Sequence, residues 1–173
     1  MVSTYHWVNG RFQEAVEPGR RACAMSPAAS MAPFIAGMQI GASGLREETA
    51  DILGRTGSLL PGTPLGSGAS FLQHALMGDR EGALRYATPA MEAALQNEFA
   101  AMFAAEAYAL IGQHDDALRW VRNAVEHGFI NYPFLAEHDP FLSKVRVMSG
   151  FQQLLSDVRP RWEAVVAWER SRA

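Results

Sequence analysis

An all-α repeat protein is the fold class this sequence predicts, and three observations predict it. Gly10, Gly44, Gly78 and Gly112 stand 34 residues apart. Two columns of small residues keep step with them: Ala15, Thr49, Ala83 and Ala117, then Ala22, Thr56, Ala90 and Ala124. Proline repeats at the same interval, at Pro27 and Pro61. Glycine is 15 of 173 residues, so three further matches to one glycine arise by chance roughly once in a thousand for one chosen period. Physically, a glycine allows a tight left-handed turn between two helices at low steric cost. Small residues let the paired helices approach where larger ones would push the backbones apart. One helix pair cannot bury its apolar face alone, so neighbours stack into a continuous core.

The clearest unit runs from about Glu98 to Phe129, with Ala105, Tyr108 and Ala109 on a first helix, Gly112 in the turn, and Asp116-Ala117-Leu118 opening a second. The first unit reads Gly10-Arg11-Phe12-Gln13-Glu14-Ala15, then Ala22 and Pro27. The second offers Gly37, Gly44, Thr49, Thr56 and Pro61; the third offers Gly78, Ala83 and Ala90, with Leu95 where a closing proline is due. Over roughly residues 3–129 these residues resemble the tetratricopeptide repeat, a helix–turn–helix unit of 34 residues. The resemblance implies a right-handed α-solenoid: about four units over 1–129, the first shortened, and a C-terminal helical capping segment over 130–173.

Irregularities are expected at particular prolines. Pro18 and Pro89 fall within second helices, where each removes a donor and crowds a carbonyl, so a kink or early stop is expected. Pro61-Gly62-Thr63-Pro64-Leu65-Gly66 predicts a loose junction between units two and three. The first helix begins almost at Met1 and carries Tyr5, Trp7 and Val8. An open solenoid end exposes the apolar face of its last helix, which predicts that the chain is part of a larger protein or that another chain covers this end.

The C-terminal third leaves the period. His127-Gly128-Phe129 ends a helix and Asn131-Tyr132-Pro133-Phe134 restarts the chain. Asp139 before Pro140 reads as a helix cap. Phe151, Leu154, Leu155 and Val158 form an apolar helical stripe, which Pro160 is expected to interrupt before Trp162, Val165, Val166 and Trp168. Gly128-Phe129, Tyr132-Pro133, Asp139-Pro140, Leu142, Val145-Arg146, Phe151 and Leu154-Leu155 are similar to the segment that closes repeat arrays in bacterial multidomain regulators, among them protein kinases, adenylate-cyclase-like and winged-helix proteins. That resemblance implies a regulatory context without supplying an activity.

Composition narrows the function classes. A net charge of −3 and a pI near 5.9 give no electrostatic footprint for nucleic acid. A single cysteine, Cys23, excludes an internal disulfide framework and fits a reducing, cytoplasmic compartment. No stretch reaches the ~20 apolar residues of a membrane span, and no secretory signal opens the chain. Charged residues make up 19% of the chain, below the ~25% of ordinary soluble domains. That deficit accords with alanine-rich helix packing or with an apolar surface that meets a partner.

Catalytic, cofactor and metal sites are not expected. His6, His74, His114, His127 and His138 are scattered without metal-ligand spacing. His114-Asp115-Asp116 stands at a turn, where aspartates serve the positive end of a helix. His74 is expected to pack, and Cys23 to be a buried, inert thiol. The expected function is non-enzymatic: protein–protein interaction, as a scaffold or regulatory module. By the resemblance, first helices of successive units line a concave groove holding a helix or peptide. The partner-binding candidates are Met31, Phe34, Met38, Leu72, Leu76, Phe99, Met102 and Glu106. This set is apolar and methionine-rich, suited to adaptable packing, and lacks the clamp of basic and amide residues that holds a terminal carboxylate. The same residues read equally as core, or as a groove covered by the tail helix bearing Trp162 and Trp168. Two alternatives stand beside this one: a sensor of a small apolar ligand, and a homo-oligomerisation module dimerising through the open N-terminal end.

Overall fold

The computed structural model describes residues 2–28, 30–95 and 97–172. Among them 75% are helical and none is in a strand. The helices are α1 (Val2–Val8), α2 (Phe12–Met25), α3 (Met31–Gly41), α4 (Arg46–Leu59), α5 (Pro64–Leu76), α6 (Arg80–Tyr86), α7 (Pro89–Ala94), α8 (Glu98–Leu110), α9 (His114–Glu126) and α10 (Ser149–Arg170). Each periodic glycine closes a hairpin: α1 into α2, α3 into α4, α5 into α6, and α8 into α9. Gly10, Gly44, Gly78 and Gly112 have φ of 71°, 97°, 73° and 77°, a region that costs a residue bearing a Cβ about 1–2 kcal/mol.

The small-residue columns mark where paired helices touch. Ala15, Thr49, Ala83 and Ala117 are fully buried. In the second hairpin the Thr49 hydroxyl donates to the Gly37 carbonyl at 3.0 Å and the Thr56 hydroxyl to the Ala28 carbonyl at 3.0 Å. Threonine therefore fits an alanine column because its buried oxygen is satisfied. The second column fails at Ala90, which is exposed. There the helix stops at Tyr86, and α7 starts with Thr88 accepting the Met91 N–H at 3.2 Å and Pro89 in its first turn.

The expected break at Pro89 thus occurs, aided by a threonine cap. At Pro18 there is no early stop: α2 runs on to Met25, held between α1 and α3. The junction at Pro61–Gly66 is close rather than loose. Thr63 caps α5, Pro64 begins it, and Gly66 lies so near the Leu60 carbonyl that a Cβ would collide with it.

After the interrupted third hairpin, α8 turns inward. Its residues from Ala100 to Ala109 are all buried. Ring centroids of Trp7 on α1 lie 5.8 and 6.2 Å from Phe103 and Phe99. Phe34 on α3 stands 5.7 Å from Phe103, and Phe71 on α5 stands 4.9 Å from Tyr108. The first helices of the first three hairpins form a cradle, and α8 lies in it. A helix of sequence EFAAMFAAEAYAL can be enclosed this way because its alanines allow close approach on several sides.

The C-terminal segment seals the other end of this cradle. Gly128, at φ 111°, turns the chain out of α9. Asn131 accepts the Phe134 N–H at 3.1 Å and donates to the Val8 carbonyl at 2.8 Å. A π-helical turn, Phe134–His138, sets Phe134 4.3 Å from Trp7. Trp7, placed by the repeat pattern at an open end, is instead fully buried among Phe99, Phe103, Phe129 and Phe134. The chain covers the Trp7 face of its own first helix, while Val2 and Tyr5 stay exposed, each at 59%. Asp139 starts no helix; it closes the π-helical turn, its N–H donating to the Phe134 carbonyl at 3.0 Å. Its Oδ1 accepts the Phe141 N–H at 2.8 Å within a run of turns over 141–147. Helix α10 then packs Phe151, Leu155 and Val158 inward and continues unbroken through Pro160. Among the described residues no helix is long and apolar enough to cross a membrane.

Candidate functional site

The eight predicted partner-binding residues divide sharply by exposure. Phe34, Met38, Leu72, Leu76, Met102 and Glu106 are buried. Phe99 is half-buried, and Met31 alone is exposed, at 42%. The first helices do converge, but on α8, so these six side chains form core instead of an open groove. The occupant also differs from the expected one. Helix α8 fills the cradle, while Trp168 at the far end of α10 is 54% exposed.

Glu106 stands out within that core. Neither of its carboxyl oxygens has a hydrogen-bond donor, and the same holds for Oδ2 of Asp139, also fully buried. The two carboxyls lie against each other. Burial, then the neighbouring Asp139, hold Glu106 well above the ordinary carboxylate range. Burial pushes Asp139 up to about 6, opposed by the Phe141 N–H, by Arg146, by the Leu142 N–H and by Glu106 itself. Arg146 donates to the backbone carbonyls of Leu135 at 3.0 Å and Asp139 at 2.6 Å. Two carboxylates are acceptors only, so a proton on Glu106 supplies the missing donor, and Arg146 balances the remaining charge. The pair joins α8 to the C-terminal segment.

A second place is open to solvent. Between α2, α3 and α4 runs a groove of about 320 Å³, lined by Arg20, Cys23, Ala24, Pro33, Ile52 and Arg55 among others. Its lining mixes apolar Ala24, Ala28, Pro33 and Ile52 with Arg20, Glu48 and Arg55. Arg20 is held by Glu48 at 2.8 and 2.7 Å and by Glu17 at 2.6 Å. Arg55 donates only to the Asp51 backbone carbonyl, at 3.3 Å, and has no carboxylate partner among the described residues. Burial pushes the Cys23 thiol up, away from thiolate reactivity. Met25, 86% exposed, ends α2 and Met31 begins α3, at the two ends of the connection whose Ala28 lines the groove. Sequence reasoning reached Met31 but missed Arg55, because nothing in the one-dimensional pattern marks a guanidinium that lacks a counter-charge.

Other polar side chains pair with one another. His74 bonds Asp79 at 2.8 Å and stacks on Tyr86 at 5.6 Å. Asp116 pairs with Arg119 at 3.1 Å and caps no amide. Arg119 and the Tyr108 hydroxyl both reach Glu92, at 3.1 and 2.6 Å, tying α7, α8 and α9 together. Among the described residues no group of three or more His, Cys, Asp or Glu is placed to hold a metal ion. Compared with protein-family models, with curated proteins and with solved structures, the chain matches none.

Proposed function

We propose that this protein is a non-catalytic interaction module, a tetratricopeptide-like solenoid that holds a segment of another protein. Four glycine turns of positive φ at a 34-residue interval support the repeat reading, as does a small-residue column buried in every copy. One observation carries the functional reading: an open groove of partly apolar lining, with Arg55 free of any carboxylate partner among the described residues and exposed Met25 and Met31 at the ends of the connection that supplies Ala28 to it. Apolar area supplies affinity, methionines adapt to an irregular surface, and a guanidinium selects an acidic residue. The preferred ligand is an extended or helical segment carrying an aliphatic side chain beside a carboxylate. The partner site therefore moves from the enclosed cradle to the α2–α4 face.

The alternative, a small apolar ligand, has the groove's volume in its favour, at the lower edge of the ~300–1,000 Å³ typical of such sites. Its open form is against it, since small-molecule sites bury about 70–90% of their ligand. The test is selection of a displayed random peptide library on the intact chain. A variant carrying Met25→Ser, Met31→Ser and Arg55→Ala, first shown to keep its helical circular dichroism, is run in parallel. An acidic–aliphatic consensus retained by the parent and lost by the variant supports the proposal. No consensus, or the same consensus with both proteins, refutes it.

A further inference from the structure

Past Val158, α10 leaves the body. Arg161 is the last side chain to reach α9, with its guanidinium 3.5 Å from the Val125 carbonyl. From Arg159 to Arg172 every residue is exposed except Trp162 and Val166, which are half-covered. The helical part of this overhang, from Arg159 to Arg170, is about 18 Å long at 1.5 Å per residue. Two of the chain's four tryptophans stand on it, a costly placement for a helix that meets nothing.

The overhang is organised symmetrically about Val165. Trp162 and Trp168 lie three residues to either side, and Arg161 and Glu169 four. Residues at these spacings share one face of a helix. If two copies cross antiparallel with a two-fold axis at Val165, each residue meets the one equally far on the other side. Val165 then meets its own copy, each Trp162 stands level with a Trp168, and each Arg161 stands level with a Glu169. Parallel pairing would set Arg161 against Arg161 and Glu169 against Glu169, so charge favours the antiparallel arrangement.

We propose that the distal half of α10 is a homotypic docking surface that joins two copies of this chain as an antiparallel helix pair. The contact spans about three turns per copy, at the small end of specific interfaces. Association is therefore expected on the order of micromolar concentrations.

The test is sedimentation velocity of the intact chain from about 1 to about 200 µM, with three charge variants. The parent is expected to pass from monomer to dimer over this range. Arg161→Glu and Glu169→Arg are each expected to weaken dimerisation about tenfold or more, by placing like charges opposite one another. The combined Arg161→Glu/Glu169→Arg variant is expected to restore it, because the swap regenerates both pairs. These side chains are exposed, so folding is not at stake, and circular dichroism confirms it for each variant. A parent that stays monomeric overturns the proposal. So does a dimer indifferent to the single changes, a double variant that fails to recover, or an oligomer that grows beyond two.

Discussion

Helix α8 and the distal half of α10 are nearly equal in length and both carry aromatic residues, yet one is enclosed on every side and the other almost nowhere. Their side-chain volumes and charges explain the contrast. In α8, alanines at 100, 101, 104, 105, 107 and 109 leave room for α1, α3 and α5 to close in, and the buried stretch holds one ionisable carboxyl, Glu106. Over 159–172, arginines and glutamates alternate with bulky Trp162 and Trp168. Such a helix stays solvated on most of its circumference and offers one stripe. Hydrophobic residues alone therefore do not decide enclosure. Small side chains and a means of neutralising the odd charge do.

The largest expected effect separates the two tryptophan environments. Trp7→Ala removes an indole ringed by four phenylalanines and is expected to cost about 3–5 kcal/mol in denaturant unfolding. Trp168→Ala, measured in dilute solution, should stay within about 0.5 kcal/mol. Similar losses at both sites would mean that the C-terminal segment does not seal the cradle in solution.

Next in size is the charge inside α8. Glu106 and Asp139 both have folded-state pKa values above those of the unfolded chain. The folded protein then binds more protons, so the pair's contribution is complete below the ordinary carboxylate range and is lost as pH rises from there through the folded values, about 6 for Asp139 and higher than the ordinary range for Glu106. Glu106→Gln keeps a donor toward Asp139 without a titrating proton. Between pH 5 and pH 8 the stability difference is expected to move in the variant's favour by about 1–3 kcal/mol. Thermal melts across that range measure it, and a parallel pair of pH profiles would show that Glu106 is not enclosed as described.

The hairpin glycines sharpen the contrast further. A Cβ at Gly112 meets open space, so Gly112→Ala should cost only the backbone conformation, about 1–2 kcal/mol. At Gly10 a Cβ would come within 2.7 Å of the His138 ring. Gly10→Ala should therefore be the worse of the two in the same unfolding assay, because α1 is clamped against the C-terminal turn.

The smallest stability effect is expected at the groove. Arg55→Ala should leave unfolding within about 0.5 kcal/mol, while peptide capture, if the proposal holds, is lost.

Much of the fold was legible because it depends on local sterics. A positive φ demands glycine wherever a hairpin turns, and a helix crossing demands a small residue, so Gly10, Gly44, Gly78, Gly112 and the Ala15 column announce themselves at a constant interval. Prolines were read less well. Pro89 breaks its helix where Thr88 offers a cap, but Pro18 and Pro160 sit inside helices that continue around them. The candidate site was the least legible part. Apolar residues facing the inside of a repeat array look alike whether they line an open groove or meet a helix of the same chain. Only Met31 and, in part, Phe99 kept a place at the surface.

The sequence by itself determined the all-helical class, the positions of the hairpin turns and the small-residue contacts within hairpins, since each is enforced over a few residues by backbone geometry and volume. Tertiary structure decided what fills the cradle of α1, α3 and α5, what covers Trp7, and which charges lack partners. Those depend on distances between residues tens of positions apart. A repeat pattern, being the same in every unit, carries no information about where the chain curls back on itself.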